Sequence, residues 1–574
     1  MEKMLGNKKY ILIFILPALL LFLGFTLIPL ITSGVYSFFE YNGIGSKTFI
    51  GIKNYIELFT SDRYFPQAVK NSLILVAASL FIQLPISLIL ALILSKGVKG
   101  DNFFRTIYFI PVVISSMVIG QLWLKMFNSD YGVINTVIRY FVPEYEHSWL
   151  TKNAFMTVLI PSVWQYIGYH MIIFYAGIKS ISTDYYEAAQ IDGASTWQVY
   201  RKITLPLLVP VIKTCVIFAI TGSLRAFDLV YVMTGGGPNH ISEVPATLMY
   251  NNLFRKGLYG YGSAQAFFIV IECLIFTFIV NRLFKKAEQN VSAVQEGTMK
   301  KKNIIGKIKF IVLLLIALTQ LFPLYWLITF SLKSNTEIFG ENVIGLPKVW
   351  RWDNYITALS SSNLIRYFLN SVFYSVVTVV VAGIISSMAA YAIARMTWKL
   401  KNAVYGLFMI GIMIPAQAAL LPLFQILDTL GLKGGYLGLI IPYIAGALPM
   451  SIMILVGFYR GIPREMEEAA YIDGCGIFKC FIQIIFPMVK PAIATASIFT
   501  FLGTWNELML ANTFVDSDQY RTLPVGIMSL AGQYSTEWGL IGAGMVIATL
   551  PTIIIYFFLS KQVQESLVVG AVKG

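Results

Sequence analysis

The chain has 574 residues, of which 57% are hydrophobic and only 13% charged, and its formal net charge is +14. A water-soluble protein of this length needs more charge to cover its surface, so the composition excludes a soluble globular protein. The basic residues are spread over separate short loops, which argues against nucleic acid as a partner. Attraction to anionic lipid headgroups in a bilayer explains the positive charge better.

Apolar stretches of about 20 residues, long enough to cross a bilayer, recur along the chain. We count about twelve, which predicts an all-α polytopic membrane protein. They lie near residues 11–36, 71–95, 104–127, 155–178, 205–233, 264–284, 308–331, 370–395, 403–427, 436–458, 488–511 and 540–560. The first is interpreted as a membrane span and not as a signal peptide. We expect broken helices around Pro29 and Pro415, because proline interrupts helical hydrogen bonding.

Lysine and arginine are concentrated in alternate short connections, which the positive-inside rule places in the cytoplasm. The other connections, such as Tyr41–Lys70 and Asn128–Asn153, are longer and have more balanced charge. The pattern predicts a multi-pass protein of a bacterial-type inner membrane with both termini cytoplasmic. The four cysteines fall in spans or on the cytoplasmic side, where disulfides are disfavoured, and the three histidines are too scattered to predict a metal site.

An internal repeat is the most informative feature of the sequence. Residues 187–193 are Glu-Ala-Ala-Gln-Ile-Asp-Gly, and residues 468–474 are Glu-Ala-Ala-Tyr-Ile-Asp-Gly. Without a gap, Ile203, Pro206, Pro210 and Gly222 match Ile484, Pro487, Pro491 and Gly503, and Arg225 falls opposite Asn506. Earlier in each half, Asn54-Tyr55 and Asn71-Ser72 are repeated as Asn354-Tyr355 and Asn370-Ser371.

Six spans return the chain to the same side of the membrane, so the repeats are parallel and related by an axis along the membrane normal. We predict a first half over residues 1–288, a polar linker or junction over 289–302, and a second half over 303–574. A natural fusion, an engineered single chain and two subunits written end to end are all compatible with this pattern.

Each repeated motif lies in a predicted cytoplasmic loop between the fourth and fifth spans, over residues 182–206 and 462–487. Asp184 and Glu187 have the spacing of a capping box that begins a helix. Gly193 and Gly474 suit the left-handed turn that ends one. A second short helix is expected over Thr196–Lys202. In the second loop, Pro463 suits the first helical turn, and Glu468–Ile472 are predicted to be helical.

These features predict a small helical projection with alanines that permit close approach and acidic side chains for polar contacts. An ordinary amphipathic connector is the alternative. Two copies at matched positions favour a surface that meets a partner.

The combination Glu-Ala-Ala, Ile-Asp-Gly and then Leu-Pro, or Phe-Pro in the second copy, resembles the cytoplasmic motif of binding-protein-dependent ABC importer permeases. The Ile-Asp-Gly form resembles the carbohydrate branch of that family, the maltose, lactose and glycerol-3-phosphate type. Phe227-Asp228 with Thr234–Pro238 resembles the first permease subunit. Trp505-Asn506-Glu507, Thr522-Leu523-Pro524 and the terminal Gly570–Gly574 resemble the second. The sequence departs from the family pattern in two ways: it has Cys475 where the family usually has alanine, and it joins two subunits in one chain.

The resemblance implies the type I ABC importer permease fold, with motif helices that fit clefts on a dimer of cytoplasmic ATPases. The implied coupling residues are Glu187, Ala188, Ala189, Asp192, Gly193 and Pro206, with Glu468, Ala469, Ala470, Asp473, Gly474 and Pro487 in the second half. The sequence contains no Gly-x-x-x-x-Gly-Lys-Ser/Thr phosphate loop, so we expect ATP and Mg²⁺ on the partner and no cofactor on this chain. The chain is then a transport component and not an enzyme. An extracytoplasmic solute-binding protein is expected to dock on loops 128–153 and 235–260.

Polar groups within predicted spans mark a candidate path for a sugar substrate. Arg225 and Asp228 are three residues apart on the fifth span, so we expect them to share one helix face. Trp505, Asn506 and Glu507 occupy the equivalent span, and Trp164, Gln165 and Tyr166 lie in the fourth. The alternative is that these groups pair with one another and stabilise helix packing.

Two other functions fit part of the sequence. An ion-coupled secondary transporter with twelve spans would explain parallel repeats, but not the paired motif loops or the lack of a chain of membrane carboxylates. A membrane-embedded enzyme would require a cluster of catalytic groups, and none is apparent.

Overall fold

The computed structural model describes residues 5–43, 46–291, 306–340, 342–360, 363–413, 415–533 and 537–572. The described chain is almost entirely helical, with one short hairpin in which Phe39–Glu40 pairs antiparallel with Thr48–Phe49. The predicted all-α fold class is therefore confirmed. Most of the predicted linker, residues 292–302, lies outside the described residues, as do Lys573 and Gly574 at the C-terminus.

The helices of the first half, including π-helical turns, are Lys8–Phe22, Leu23–Leu27, Ile28–Tyr36, Lys53–Thr60, Phe65–Ala78, Ser79–Gln83, Leu84–Leu94, Asp101–Val113, Ser116–Met126, Val133–Phe141, Trp149–Lys152, Ala154–Ser180, Thr183–Ile191, Thr196–Val199, Tyr200–Thr204, Leu205–Leu207, Val209–Leu224, Asp228–Met233, Pro245–Tyr250, Asn251–Arg255 and Tyr259–Val291. Those of the second half are Gly306–Ser331, Asn335–Ile338, Asp353–Ser360, Leu364–Ala394, Lys401–Met413, Ala416–Ala419, Leu420–Thr429, Leu437–Gly461, Glu465–Ile472, Ile477–Cys480, Phe481–Ile485, Phe486–Met488, Lys490–Trp505, Met509–Phe514, Leu523–Gln533 and Trp538–Val572.

Within the described ranges, eight helices are long and apolar enough to cross a membrane, or eleven if each of three sharply bent pairs counts as one span. The predicted span at 155–178 coincides with a further helix, Ala154–Ser180, of 27 residues. That length, about 40 Å, exceeds the bilayer core. The helix is more polar than the others, since it places Gln165 and His170 in the protein interior.

The bent spans recur at matched places in the two halves. The third span of the first half bends by 93° between Val113 and Ser116, and that of the second half bends by 97° around Pro415. The break expected near Pro415 is thus confirmed. Near Pro29 the chain instead continues as one span, Lys8–Tyr36, which absorbs the proline with a π-helical turn at Leu23–Leu27.

The 281-residue register of the repeat extends to the helix boundaries. Five consecutive elements of the first half correspond residue for residue to five of the second half. In the first half they are Thr196–Val199, Tyr200–Thr204, Leu205–Leu207, Val209–Leu224 and Asp228–Met233. In the second half they are, in the same order, Ile477–Cys480, Phe481–Ile485, Phe486–Met488, Lys490–Trp505 and Met509–Phe514. Each motif helix is therefore followed by the same succession of a short helix, a π-helical turn and a fifth span. The two halves are parallel repeats of one plan.

Each half places its first span against the other half. Phe14 near the start of the chain lies 5.0 Å from Phe481 and 5.5 Å from Tyr391, measured between ring centroids. Reciprocally, the Tyr108 hydroxyl donates to the carbonyl of Leu313 in the first span of the second half, at 2.6 Å. This exchange joins the halves through buried apolar side chains, including Phe22 and Phe408.

Paired asparagine clamps fix the loops on the face opposite the motif helices. Asn71 Nδ2 donates to the carbonyls of Ile241 and Glu243, and Asn370 Nδ2 donates to those of Gln519 and Arg521. A second matched pair does the same nearby: Asn54 binds the carbonyls of Ser37 and Phe39, and Asn354 those of Ser331 and Lys333. The repeated Asn-Ser and Asn-Tyr dipeptides thus hold loop backbone in place. We call this side the opposite face and the side of the motif helices the motif face.

Candidate functional site

Two short helices, Thr183–Ile191 and Glu465–Ile472, form the core of the motif face. Both end in the same way: Gly193 (φ +71°) and Gly474 (φ +76°) adopt the left-handed conformation. The amide after each glycine then bonds back into the helix, Ala194 to the carbonyl of Ala189 and Cys475 to that of Ala470. The expected glycine stops are confirmed, and Cys475 leaves the turn undisturbed.

The helix starts differ from the prediction. Ser182, and not Asp184, caps the first motif helix, with its hydroxyl accepting from the Asp184 amide at 3.3 Å. Asp184 instead lies in the first turn, where its charge suits the positive end of the helix dipole. Pro463 precedes the N-cap residue Arg464 and lies outside the second helix. The short helix expected over Thr196–Lys202 ends at Val199, where a π-helical turn begins.

The two motif helices present equivalent surfaces. Ala189 and Ala470 are buried against the body of the protein, 5% and 3% exposed. Glu187, Ala188, Glu468 and Ala469 point outward. Asp192 and Gly193 are partly covered, while Asp473 and Gly474 are exposed. Pro206 and Pro487 lie in the short helices Leu205–Leu207 and Phe486–Met488, which directly precede the fifth spans.

Matched isoleucines at the tips are the most unusual feature of these surfaces. Ile191 is 88% exposed and Ile472 is 83% exposed, although both lie in polar loops outside the membrane spans. Exposing a large apolar side chain to water forgoes about 1.5–3 kcal/mol that burial would provide. Equivalent exposure in both halves makes the two tips candidate contact points.

The motif helices are anchored to the spans by different chemistry. In the second half, Arg395 and Glu467 form an ion pair whose side chains are 4% and 2% exposed. The repeat places Tyr186 opposite Glu467 and, in the register of the second spans, Lys96 opposite Arg395. Tyr186 instead makes a long hydroxyl contact with Thr204, at 3.4 Å. The second motif helix is therefore tied to its second span by a buried ion pair, whereas Tyr186, at the matched position of the first motif helix, makes a neutral contact.

Both fifth spans are interrupted at the level of the predicted substrate path. The helix Val209–Leu224 ends before Arg225, and a separate helix begins at Asp228. The expectation that Arg225 and Asp228 share one helix face is therefore wrong, because the backbone leaves the helical conformation at Phe227 (φ −137°). The second half breaks at the matched position, after Trp505. Irregular backbone at membrane depth is typical of sites that line a cavity.

Side chains from the other half bind the backbone at these breaks. Gln417, at the bend of the second half's third span, donates to the carbonyl of Arg225 at 3.3 Å. Reciprocally, Asn506 donates to the carbonyl of Val113, at the bend of the first half's third span, at 3.1 Å. Four interruptions, two in each half, thus meet at the junction of the halves.

A cavity of about 430 Å³ opens beside the break of the first half. Tyr166, Arg225 and Asp228 from the predicted path line it. Its other polar and aromatic walls come from Ser79, Gln83, Ser116, Ser162, Tyr169, His170, Phe218, Thr221 and Ser223. Ile412 and Met450 of the second half close one side.

The polar groups of this cavity are partly paired with one another. Gln83 and His170 are joined at 2.8 Å, and Ser79 and Ser223 at 2.9 Å. The other imidazole nitrogen of His170 is buried and makes no hydrogen bond to any described residue. Hydroxyl, amide and aromatic groups in a space this size are suited to a polyhydroxylated ligand with an apolar ring face.

Arg225 lies between this cavity and a second one of about 550 Å³ on the side of the second half. Both cavities are lined by Gly222, Ile412 and Met450. The lining of the second cavity also includes Phe25, Gln417 and Pro442. Within the described chain, the Arg225 side chain forms no ion pair, and its only hydrogen bond goes from Nε to the Thr221 carbonyl at 3.0 Å. Its terminal guanidinium nitrogens are therefore available at the passage between the cavities.

The remaining predicted path residues lie outside these walls and hold helices together. Trp164 donates to the Thr319 carbonyl of the other half, Gln165 makes a 3.4 Å contact with the Ile114 carbonyl, and Trp505 donates to Ala548. Glu507 accepts from the Leu510 and Ala511 amides and from the Tyr443 hydroxyl. Asn506 binds the Val113 backbone. These contacts are those of the packing alternative, and the substrate role of these five residues stays a prediction.

Comparison with known protein families decides the identity of the chain. The model of the binding-protein-dependent transport system inner membrane component matches twice, over residues 83–291 and 381–568. The chain belongs to this family. Each match contains one motif helix, one broken fifth span and one asparagine clamp partner, so the chain comprises two permease repeats.

Relatives of the permease each correspond to about half of it. A probable ABC transporter permease protein of Bacillus subtilis, YurM, is 37% identical over 265 residues, which is 46% of this chain and 87% of YurM. YurN of the same organism is 35% identical over 289 residues, 49% of this chain and 98% of YurN. The sulfoquinovosyl glycerol transport permease SmoH of Agrobacterium fabrum is 32% identical, covering 46% of this chain and 94% of SmoH.

Among solved structures, a bacterial importer of the acidic polysaccharide alginate aligns with a TM-score of 0.41 at 22% identity, covering 45% of the permease and 95% of that chain. A complex of a bacterial alginate transporter with a pentasaccharide-bound periplasmic protein aligns with a TM-score of 0.43 at 25% identity, covering 48% and 93%.

Several cavity residues of the permease were not singled out from the sequence. Gln83 and His170 are 87 residues apart, and no local pattern marks their pairing. A signal did exist, because amide and imidazole groups inside an apolar stretch are costly in a bilayer and indicate an interior position. Ser79 and Ser223 carried no such signal, since serine is common in membrane helices.

Proposed function

We propose that the permease moves a sugar or sugar derivative across the inner membrane, driven by ATP hydrolysis on a partner ATPase dimer. The observation that carries this proposal is the pair of motif helices with nearly fully exposed Ile191 and Ile472. Two matched apolar tips on one face require two matched sockets, which a dimer of identical or similar ATPases provides. In this orientation the motif face and both termini are cytoplasmic.

Alternating access is the mechanism that this architecture supports. When the ATPases close, the motif helices approach each other and carry the attached spans with them. The short contacts across the broken spans, Gln417 to Arg225 and Asn506 to Val113, then rearrange as one half moves against the other. Breaks joined by side-chain hydrogen bonds allow such motion at lower cost than continuous helices.

The substrate class rests on the chemistry of the cavity beside Arg225. Sugars present hydroxyls for hydrogen bonding and ring faces for stacking, and the cavity supplies Tyr166, Tyr169, His170 and several serines. Names of related permeases include uptake of diacetylchitobiose and of arabinooligosaccharides. We infer that an extracytoplasmic solute-binding protein delivers the sugar to the opposite face.

The proposal is tested by uptake of radiolabelled sugar into proteoliposomes that contain the permease, a candidate ATPase and its binding protein. We expect uptake to require ATP and all three components. Replacing both tips, Ile191→Ser with Ile472→Ser, should abolish ATPase recruitment and uptake. The matched control is Ile356→Ser, which removes an isoleucine that is 67% exposed on the opposite face and should leave uptake unchanged.

Uptake without an ATPase that follows an ion gradient would contradict the proposal and indicate a secondary transporter. Equal loss in the control variant would mean that exposed isoleucines matter for insertion and not for coupling.

A further inference from the structure

A basic recess lies on the opposite face of the first half, separate from the cavity within the spans. It has a volume of about 920 Å³, and its walls include Arg63, Arg255 and Lys256 together with the Gly235–Gly237 turn. Within the described part of the chain, none of these three cationic side chains makes an ion pair or a hydrogen bond. Three cations without an ion-pair partner outnumber the single carboxylate in the lining, Glu243, and so favour an anionic occupant.

The walls of the recess are rigid before anything binds. Asn71 fixes the loop backbone at Ile241 and Glu243, and Ser242 bonds to Thr234. The rings of Tyr64 and His240 pack against each other with centroids 3.9 Å apart and planes inclined by 30°. A preorganised recess loses little entropy when it is filled.

The acidic groups nearby are already committed to other contacts. Glu243 is 1% exposed, and its carboxylate accepts from His240 at 3.0 Å and from Thr247. A Cβ at Gly236 would overlap that carboxylate, so the glycine allows it to sit under the turn. Asp62 accepts from the Tyr64 and Phe65 amides and from the Tyr261 hydroxyl. Both carboxylates keep their charge, but neither forms an ion pair with Arg63, Arg255 or Lys256 within the described residues.

The equivalent loop of the second half carries its own counterions. Asn370 clamps this loop as Asn71 clamps the loop of the first half. Here, however, the cations have partners: Arg521 pairs with Asp518 at 2.6 Å, and Lys433 lies 4.0 Å from Asp516. The two loops thus differ: Arg521 and Lys433 face carboxylates in the second half, whereas Arg63, Arg255 and Lys256 form no ion pair in the first. A single-chain partner without two-fold symmetry meets these two loops through different surfaces.

We propose that this recess receives carboxylate side chains of the solute-binding protein and so sets how that protein docks on the permease. This inference rests on the proposed function and names the docking chemistry. The position of the recess on the opposite face, its rigid walls and its unpaired cations all suit acidic side chains that project from a protein surface. Solvent-exposed charges of this kind act mainly on the association rate and its salt dependence.

The test measures stimulation of the ATPase in nanodiscs that contain the permease and its ATPase. The probe is the binding protein whose sugar supports ATP-dependent uptake. In the variant R63Q/R255Q/K256Q, we expect its half-saturating concentration to rise about tenfold at low salt, with unchanged maximal stimulation and a weaker salt dependence. The control R521Q alters a paired cation in the matched loop and should change the half-saturating concentration less than twofold.

Cross-linking locates the contact directly. A carbodiimide joins an amine to a carboxylate without a spacer, so Lys256 should cross-link to an Asp or Glu of the binding protein. Lys256→Arg should lose this cross-link and keep the wild-type half-saturating concentration.

Three results would overturn or redirect the inference. An unchanged half-saturating concentration in the triple variant, or cross-links that avoid Lys256, would show that the recess is not the docking site. Loss of bound anionic lipid from the triple variant with normal binding-protein affinity would identify a lipid headgroup as the occupant. A wild-type permease that no binding protein stimulates would instead contradict the proposed function, which is a separate outcome.

Discussion

Arg395 and Glu467 form a buried ion pair that joins the end of the second span of the second half to its motif helix. Both Nε and a terminal nitrogen of Arg395 donate to one carboxylate oxygen, at 2.9 and 2.6 Å. The other terminal nitrogen donates to the carbonyl of Ile462 at 2.8 Å, within the segment that leads into the motif helix. The pair therefore fixes both the position and the entry angle of the helix.

Arg395→Met should lower the free energy of unfolding by about 3–5 kcal/mol, because it leaves the Glu467 carboxylate buried without a counterion. The double variant Arg395→Met/Glu467→Met should recover most of that loss. Thermal unfolding followed by tryptophan fluorescence in detergent micelles measures both. The matched control in the first half is Lys96→Met, which removes a cation 4.5 Å from the Tyr200 ring and should cost about 0.5–1 kcal/mol. Equal stability of Arg395→Met and the wild type would contradict this expectation.

Gly474→Ala should weaken the end of the second motif helix through backbone strain alone. An added Cβ at Gly474 meets no atom within 4 Å, but φ is +76°, where alanine costs about 1–2 kcal/mol. Hydrogen exchange of the amides of residues 474 and 475, which donate to the carbonyls of Tyr471 and Ala470, should become faster. Gly476→Ala is the control, because that glycine also has open space and a φ of −71°. If both variants exchange alike, the left-handed turn does not stabilise the helix.

Asn71→Ala and Asn370→Ala should each destabilise the permease by a similar amount, about 1–3 kcal/mol, because each variant leaves two clamped carbonyls without their donor. The unfolding temperature in nanodiscs measures this effect. Asn363→Ala is the control, since Asn363 is exposed and makes no capping hydrogen bond. A loss confined to one half would show that the matched clamps are not equivalent.

The repeat and the helical nature of the chain could be predicted because they depend on local patterns. Apolar length marks the spans, and identical residues at a 281-residue separation mark the equivalent motif loops and fifth spans. The π-helical turns at Tyr200–Thr204 and Phe481–Ile485 were not predicted, although they obey the same register. The glycine stops followed from the left-handed conformation that glycine tolerates.

The interior was less predictable because it depends on distant partners. The break between Leu224 and Asp228 is stabilised from the other half by Gln417, 192 residues away from Arg225. Trp164 and Tyr166 are near neighbours on one helix, yet only Tyr166 faces the cavity. Sequence alone identified polar groups in the spans without assigning each to a wall or to a helix contact.

Tyr166→Phe and Trp164→Phe should therefore have different effects. Tyr166→Phe removes a hydroxyl from the cavity wall and should raise the half-saturating sugar concentration for uptake by about 3–10-fold, the equivalent of one neutral hydrogen bond. Trp164→Phe removes the 3.1 Å hydrogen bond to the Thr319 carbonyl and should lower the unfolding temperature while leaving sugar affinity unchanged. A sugar-affinity change from Trp164→Phe, with none from Tyr166→Phe, would place the path elsewhere.

Lys333 should make stability depend on pH above neutrality. Its ammonium lies beyond the end of a span and donates to the carbonyls of Asn342 and Val343, and burial lowers its pKa to about 8, with Glu337 partly opposing the shift. Because the pKa is lower in the folded state than its ordinary value of 10.5, the unfolded chain binds more protons between pH 8 and 10.5. Folding stability should therefore increase as the pH rises through this window.

Unfolding temperatures of the wild type and Lys333→Met, compared at pH 7.5, 8.5 and 9.5, test this expectation, because the wild type should gain stability relative to the variant as the pH rises. Lys348→Met removes an exposed lysine on the same face and controls for the general effect of pH on the surface. A constant difference between the wild type and Lys333→Met would mean that the Lys333 ammonium titrates alike in the folded and unfolded chain.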